Sequence, residues 1–287
     1  CERIWGGRNL EKFDFSIPQG NIGEAWVIAA HDNGSSKITN GELAGLTLKE
    51  AYEKQPTLFT EKVYDKFPLL IKILDASDNL SVQVHPEDDY ARVNENGELG
   101  KTECWYVLDA KEGAKLVYGH TAKTKEEFND KINREQWQEL FIEEEVKAGD
   151  FFYIPAGTLH AIGAGNLIYE VQQNSDTTYR VYDYDRTDKD GNKRELHIEK
   201  TKDVTKVPFE KVTTSPKTEK LEGATVTYLA DERYFSVFKV EMEGQVSLEK
   251  TRTGNLFTVL NGSGSVEIDG NIYDVKKGDS FILTTDC

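Results

Sequence analysis

Short segments in which apolar and polar residues alternate recur along the chain. The clearest reads Ser-Val-Gln-Val-His at 81–85, so that Gln83 and His85 point to one side of an extended strand and the two valines to the other. Gly, Asn and Asp separate such segments, which favours a mainly β barrel or sandwich over alternating β/α units. The predicted strands cover residues 24–30, 69–74, 80–85, 104–109, 114–118, 151–154, 167–173, 178–182, 225–229 and 235–240.

Helical patterns are few and short. Thr47 followed by Glu50 has the spacing of a capping box, and the same spacing recurs at Thr124 and Glu127. We expect one short helix after each, the second with an apolar face that extends as far as Leu140.

A weak internal repeat relates two parts of the chain. Residues 105–119 followed by 147–154 resemble residues 256–270 followed by 276–283, because strand, turn, strand and a Gly-Asp pair keep their order. The polar stretch 183–222 lies between the two copies. Chance similarity between β-rich segments is the alternative, and the conserved order of the elements favours a duplication.

The two copies differ in their capacity for chemistry. The first continues after Asp150 as FFYIPAGTLH, which places Gly149, Pro155, Gly157 and His160 in the pattern G-x5-P-x-G-x2-H. The later copy has neither the proline nor the histidine. This pattern is similar to the second cupin motif, in which Pro and Gly turn the chain so that the histidine projects into a barrel. A lone histidine is more often structural, and the surrounding motif is what favours a site at His160.

The fold predicted is mainly β, with two cupin-type (jelly-roll) barrels and a few short helices. We expect a catalytic cupin barrel with small helical insertions at 1–200, a linker at 201–222 and a degenerate cupin-like barrel at 223–287. The last barrel is expected to be incomplete, because the chain stops shortly after its Gly-Asp strand.

Potential metal ligands come from three separate segments. Gln83 and His85 share a strand face, and His160 closes the cupin-like motif. Lys101 and Glu103 have the same two-residue spacing at the entry to the predicted strand 104–109. Two imidazoles, one carboxylate and one amide oxygen suit a borderline divalent ion such as Zn²⁺, with coordination positions left for water or substrate.

Longer segments resemble one enzyme family. SVQVHPEDDYA, GKTECWYVLDA, GDFFYIPAGTLHA and EVQQNSDTTYRVYDYDR are similar to type I mannose-6-phosphate isomerases of the short bacterial form. The resemblance is dense as far as about residue 200 and thinner beyond it. It implies an aldose-ketose isomerase that interconverts mannose 6-phosphate and fructose 6-phosphate through an enediolate, with one Zn²⁺ per chain or another divalent ion in its place.

The resemblance also implies roles for individual residues. The metal ligands would be Gln83, His85, Glu103 and His160. The catalytic residues would be Arg180, Glu170 and Lys101. Substrate would be bound by Lys72, Arg186 and Trp5, the last at the mouth of the pocket. Arg186 stands where longer members of the family have a lysine, and it remains a cation of different shape.

Composition narrows the range of partners. The chain has 35 basic and 51 acidic residues and a net charge of −16, which disfavours nucleic acid and anionic membranes as partners. A phosphorylated hexose would need a local concentration of Lys and Arg. The sequence has no apolar stretch near the ~20 residues of a membrane span and no signal-peptide pattern. Three cysteines without paired spacing fit a cytoplasmic protein, and no oligomeric state is predicted.

Two other functions fit the same ligand set. An Fe²⁺-dependent cupin dioxygenase would use the ion to activate oxygen, and a non-catalytic sugar-binding cupin would need no complete ligand set. The dioxygenase gives no use to Lys101, Arg180 and Arg186, which an isomerase of anionic sugars would use directly. At single positions a structural role is the alternative: Glu170 and Gln172 would then be solvated barrel-surface residues, and Arg180 an exposed strand arginine.

Overall fold

Strands make up most of the regular secondary structure, as the alternating pattern predicts. The structure, a computed structural model, describes residues 1–188, 190–247, 249 and 251–287. Strands in the first part are β1 (Glu2–Gly7), β2 (Glu24–Ile28), β3 (Ala30–His31), β4 (Gly34–Ser35), β5 (Leu69–Ala76), β6 (Val82–Val84), β7 (Glu103–Ala110), β8 (Lys115–His120), β9 (Phe141–Glu145), β10 (Phe151–Ile154), β11 (His160–Ile162), β12 (Asn166–Gln173) and β13 (Tyr179–Tyr182). They are followed by β14 (Lys217–Leu221), β15 (Ala224–Asp231), β16 (Ser236–Met242), β17 (Asn255–Thr258), β18 (Ser263–Ile268), β19 (Asn271–Lys276) and β20 (Ser280–Leu283).

The described helices are short, and none is long and apolar enough to span a bilayer. They are α1 (Leu48–Lys54), α2 (Asp88–Asn94), α3 (Lys125–Asn133), α4 (Trp137–Leu140) and α5 (Ile198–Val204), with 3₁₀ turns at Asn9–Phe13 and Pro56–Leu58. Thr47 and Glu50 form the predicted capping box. The continuous helix expected to reach Leu140 is wrong, because α3 ends at Asn133 and Glu135 adopts a positive φ of 54° before α4 begins.

The chain folds as two compact units, each assembled from segments that are distant in sequence. The first comprises Cys1–Asn9, Gln19–Glu24 and Ile73–Thr214, and the second Leu10–Pro18, Ala25–Lys72 and Ser215–Cys287. Both units are discontinuous in sequence, whereas the predicted domain boundaries after residues 200 and 222 assume contiguous domains. The three-part division stays a prediction.

Two antiparallel sheets form the first unit. The order in one is β1-β5-β12-β7-β10, with β5 entering the unit at Ile73, and the order in the other is β13-β6-β11-β8-β9. Side chains from both sheets, among them Trp105 and Tyr118, share one apolar cluster, so the sheets pack face to face. Val82 and Val84 belong to a different cluster that includes Phe128 and Leu140 from the helices. Gln83, between these valines, therefore faces the opposing sheet, as the alternation predicts.

The second unit contains a three-stranded sheet, β14-β15-β16, and the pairs β17-β20 and β18-β19. Its Lys-Lys-Gly-Asp turn repeats the hydrogen bonds of the Lys-Ala-Gly-Asp turn in the first unit. Gly149 donates to Val107 O and Gly278 to Val259 O, both over 2.8 Å. The duplicated turn therefore aligns Val107 with Val259. Pairing residues 105–119 with 256–270 without a gap would instead align Val107 with Thr258, and this register is wrong by one residue. Either residue suits a strand, so the sequence does not distinguish the two registers.

Candidate metal centre and active site

Strand register brings three candidate side chains into one row. His160 on β11 lies opposite Gln83 on β6, and Gln83 lies opposite Arg180 on β13. Residues directly opposite each other in a ladder point to the same face of the sheet. Gln83, His160 and Arg180 therefore share the face that the opposing sheet covers, where Glu103 on β7 lies opposite Gln172 on β12.

The turn before His160 also fixes the backbone of His85. Gly157 donates its N–H to His85 O over 2.8 Å and has a φ of +87°. A side chain at this position would adopt a strained backbone, and its Cβ would lie 2.9 Å from Lys206 Cγ. The Pro-x-Gly of the motif thus places two histidines that are 75 residues apart beside each other.

Three of the predicted ligands, His85, Glu103 and His160, form one buried cluster. Glu103 Oε2 lies 3.5 Å from His85 Nε2, and Glu103 Oε1 lies 3.3 Å from His160 Nε2. A ligand atom from each of these three residues lies within 4.8 Å of the others. All three side chains are about 1% exposed, so the cluster is removed from bulk water.

Backbone carbonyls orient both imidazoles. His85 Nδ1 lies 2.8 Å from Thr177 O, and His160 Nδ1 lies 2.8 Å from Thr158 O. A carbonyl oxygen can only accept, so Nδ1 carries the proton in each ring and Nε2 presents a lone pair to the cluster. Burial, and then the Lys101 ammonium, lower the pKa of His160 to about 3, which keeps this imidazole neutral at neutral pH.

Lys101 supplies positive charge inside the cluster. Its ammonium donates to His85 Nε2 over 3.1 Å and to Glu103 Oε2, and it lies 3.9 Å from Glu170 Oε1. Burial alone would lower the pKa of Lys101, but the carboxylates of Glu103 and Glu170 outweigh burial and raise this pKa above its usual value. Three other sequence-predicted residues, His85, Glu103 and Glu170, thus surround the Lys101 ammonium.

The donors present fit a divalent metal ion. Two neutral imidazoles and a carboxylate converge, and His160 Nε2 is buried without a hydrogen bond to any described residue. An unpaired buried imidazole nitrogen is unfavourable unless a ligand completes its interactions. Gln83 shares the row with His160, and its role as a fourth ligand stays a prediction.

Arg180 lies at the end of the same row and is only partly buried. Its Nε donates to Ser81 Oγ over 3.2 Å and its Nη1 to Glu195 O over 3.1 Å. His197 Nδ1 accepts the backbone N–H of Arg180. Burial, followed by the nearby Arg194 guanidinium, lowers the pKa of Arg180 from its usual value. The side chain is therefore anchored by protein acceptors. Its exposure is intermediate, so the alternative of an exposed strand arginine is wrong.

Glu170 and Gln172 are also buried. Glu170 is 4% exposed and Gln172 is fully covered, so the alternative that both are solvated surface residues is wrong. They share the face that carries Glu103, because Glu170 pairs with Trp105 and Gln172 with Glu103 in the β7–β12 ladder. The strand face is correctly predicted, whereas its burial depends on the opposing sheet.

The three predicted substrate-binding residues have different surroundings. Trp5 is 3% exposed and packs in the apolar core of the first unit, not at an exposed rim. Arg186 donates to Asp183 Oδ1 over 2.6 Å and to Asp78 Oδ2 over 3.2 Å. Lys72, in the second unit, is buried with its Nζ 5.3 Å from the centre of the Trp26 ring. The substrate-binding roles of all three stay predictions.

Sequence reasoning missed the groups that hold the ligands in place. Thr158 and Thr177 act through their carbonyl oxygens, which any residue type would supply. Gln173 binds the backbone of Thr102 and the side chain of Asp88. Its only signal in the sequence is that it follows Gln172 at the end of a predicted strand, which does not distinguish a buried residue from an exposed one.

A buried His–Glu–His cluster between two antiparallel sheets defines a cupin-type protein with a candidate metal centre. The family model described as phosphomannose isomerase type I, catalytic domain, matches residues 1–108, and that described as mannose-6-phosphate isomerase, cupin domain, matches residues 224–287.

Relatives extend this match along the whole chain. The chain is 49% identical to mannose-6-phosphate isomerase ManA of Bacillus subtilis over 282 residues, which span 98% of this chain and 90% of the relative. It is 48% identical to mannose-6-phosphate isomerase of Streptococcus mutans over 98% of this chain and 89% of that relative. A crystal structure of mannose 6-phosphate isomerase from Bacillus subtilis superimposes with a TM-score of 0.96 at 44% identity, covering 99% of this chain and 91% of that one. The chain belongs to the type I mannose-6-phosphate isomerase family and has its cupin fold.

Proposed function

We propose that this chain interconverts mannose 6-phosphate and fructose 6-phosphate at the buried centre of the first unit. Family membership supports the reaction. The observation that carries the site is the convergence of His85, Glu103 and His160 on one buried point, beside Lys101. A phosphorylated hexose is the proposed partner, and the cytoplasm the proposed location.

The ion proposed is Zn²⁺, one per chain, held by His85, Glu103, His160 and Gln83. Two neutral imidazoles and a carboxylate suit zinc, although other divalent ions accept the same donors. When bound, the ion supplies positive charge that stabilises negative charge developing on the oxygens of the sugar.

Arg180 is proposed to stabilise the enediolate that forms when a proton moves between adjacent carbons. The guanidinium has five N–H donors, and two of them bind Ser81 Oγ and Glu195 O. The other donors have no hydrogen bond to the described part of the chain, so they are available to an anionic oxygen of the substrate. A fixed donor aimed at developing charge is an effective catalytic group.

Glu170 is proposed to carry the proton. Its carboxylate lies 3.9 Å from the Lys101 ammonium inside the same buried space, so the two groups balance each other's charge. A buried carboxylate beside the reacting carbons can accept a proton from one carbon and return it to the next. Lys101 would hold a sugar oxygen, because its ammonium already lies among the ligand atoms.

Lys72, Arg186 and Trp5 are proposed to contact the sugar or its phosphate. The Arg186 guanidinium already contacts Asp183 and Asp78, so it would have to bind a phosphate while keeping or exchanging these contacts.

The proposed domain division consists of a catalytic barrel at residues 1–200, a linker at 201–222 and a degenerate barrel at 223–287.

A coupled assay for fructose 6-phosphate tests the proposal. The purified protein is assayed with mannose 6-phosphate in three states: loaded with zinc, after removal of the metal by a chelator, and after zinc has been added back. We expect turnover that chelation abolishes and zinc restores. Absence of turnover by the zinc-loaded chain would overturn the proposal; sugar binding without turnover would then indicate a sugar-binding cupin, and oxygen uptake with Fe²⁺ a dioxygenase.

A further inference from the structure

We propose that Gln172 and Gln173, at the end of β12, are positioning residues for the metal centre. The inference rests on the proposed function only in assuming that His85, Glu103 and His160 bind a divalent ion. Both glutamines are buried, Gln172 fully and Gln173 to about 4% exposure. Gln173 uses its carboxamide to hold segments next to the predicted ligands, and Gln172 uses its carboxamide to hold the loop that orients His85.

Gln173 fixes the segment that contains Lys101 and Glu103. Its Oε1 accepts the N–H of Thr102 over 2.9 Å, and its own backbone N–H donates to Thr102 O over 3.0 Å. Thr102 lies between Lys101 and Glu103, so these two bonds hold the peptide from which both side chains project. The carboxamide thereby extends the β7–β12 ladder by one further bond.

The opposite end of the same carboxamide reaches the loop that follows His85. Gln173 Nε2 donates to Asp88 Oδ1 over 2.9 Å, and the same oxygen accepts the N–H of Gly100 over 2.9 Å. The segment between His85 and Lys101, which contains α2, is thus held near its start by the Gln173 side chain directly and near its end through Asp88. A carboxamide is suited to this position because it donates and accepts at once.

Gln172 acts on His85 through the loop 174–177. Its Nε2 donates to the carbonyl oxygens of Gln173 and Ser175, and Ser175 Oγ accepts the N–H of Thr177 over 3.3 Å. Thr177 O then holds His85 Nδ1 over 2.8 Å. A short chain of hydrogen bonds therefore leads from Gln172 to the group that sets the tautomer and direction of the His85 ring.

The other end of β12 provides a matched control. Asn166 is also buried, and its Nδ2 donates to two carbonyl oxygens, those of Lys115 and Gly163. In both Asn166 and Gln172 the amide oxygen has no hydrogen bond to a described residue. At about 3.3 Å per residue, Asn166 lies ~20 Å along the strand from Gln172. Neither bond reaches a predicted ligand or a residue next to one, since Gly163 lies beyond the end of β11 that is opposite to His160. Loss of the Asn166 carboxamide should therefore perturb the fold without moving the ligands.

The experiment compares Gln172→Met, Gln173→Met and Asn166→Leu with the unchanged chain. Each substitution keeps the approximate volume and removes the carboxamide. We measure zinc affinity by competition with a chromophoric chelator, the visible spectrum of the Co²⁺-loaded protein, and the thermal midpoint of the metal-free protein.

We expect Gln173→Met to weaken zinc binding by about 10- to 100-fold and to change the Co²⁺ spectrum, as loss of groups that orient metal ligands does. Gln172→Met should act in the same direction through His85. Asn166→Leu should lower the thermal midpoint of the metal-free protein while leaving zinc affinity and the Co²⁺ spectrum unchanged.

Two results would overturn the inference. Unchanged zinc affinity and Co²⁺ spectrum in both glutamine variants would show that the pair supports the fold only. The same would follow if Asn166→Leu weakened zinc binding as much as they do. If the unchanged chain binds no divalent ion, the proposed metal centre itself fails, which is a distinct outcome from variants that bind as well as the unchanged chain.

Discussion

At the scale of single residues, the orientation of an imidazole ring depends on which backbone carbonyl lies beside it. The position of the histidine in the sequence does not specify that carbonyl. The spacing of Gln83 and His85 predicts which face of the strand they occupy, and the face is correct. The ring nitrogen that faces the cluster is set by Thr177 O and Thr158 O. Which backbone carbonyl lies beside a side chain depends on the course of a loop, so spacing along the sequence does not predict it.

His85→Ala and His160→Ala should each abolish stoichiometric zinc binding. Either change leaves one imidazole, one carboxylate and the weaker amide oxygen of Gln83, one ligand fewer than the four proposed for a tetrahedral site. Zinc content by elemental analysis after dialysis checks this. His120→Ala is the control, because His120 is equally buried but binds Lys206 O outside the cluster, and it should retain zinc. Full zinc content in both ligand variants would contradict the assignment.

Arg180→Ala should reduce kcat by about 100-fold or more while zinc content stays unchanged. This is the range expected when a fixed donor to a developing oxyanion is removed. Steady-state kinetics and elemental analysis on one preparation measure both quantities. Arg134→Ala is the control, since that side chain, just after the end of α3, is 67% exposed and pairs only with Asp130 among the ion pairs described. Turnover retained by Arg180→Ala would remove Arg180 from the mechanism.

At the scale of elements, one turn is built twice with different surroundings. Asp150 and Asp279 each accept the N–H of the lysine three residues earlier, and Gly149 and Gly278 both have a φ of +93°. This shared geometry supports the duplication predicted from the sequence. Which residue of one copy corresponds to which residue of the other was not predictable, because neighbouring residues of similar β propensity fit either register.

Gly149→Ala and Gly278→Ala should destabilise the protein by different amounts. Both place a side chain in a strained backbone conformation, at about 1–2 kcal/mol. At Gly149 the new Cβ meets nothing within 4 Å, whereas at Gly278 it would meet the carbonyl oxygen of Phe13. Midpoints of urea unfolding should therefore fall for both variants and further for Gly278→Ala. Equal losses would mean that the backbone near Phe13 moves aside freely.

At the scale of the whole molecule, an acidic protein keeps a cationic group at its candidate site. The net charge is −16, yet the Lys101 ammonium is buried among His85, Glu103 and Glu170, and Arg180 lies in the row beside them. Buried charges are stable only when paired, which Glu103 provides. The local charge needed for an anionic substrate is thus fixed by packing rather than by overall composition.

Zinc should stabilise the whole protein. A ligand that binds only the folded state at 100 times its dissociation constant contributes about 2.7 kcal/mol, equivalent to a rise in Tm on the order of 5 °C for a chain of this size. Thermal unfolding with and without zinc, and after chelation, measures the shift. The double variant of His85→Ala with His160→Ala should show none. A shift of equal size in that variant would place the stabilising ion elsewhere.

The sequence by itself determined the mainly β class, the strand faces, the cupin-like turn and the residues His85, Glu103 and His160. These follow from local rules, namely the two-residue period of a strand and the backbone freedom of Gly157. Only the tertiary structure decided that Glu170 and Gln172 are buried, that Lys101 lies among the ligand atoms, and that Gln173 ties two ligand-bearing segments together. Burial and pairing depend on which strands and loops meet, and those contacts join residues far apart in sequence that no local pattern specifies.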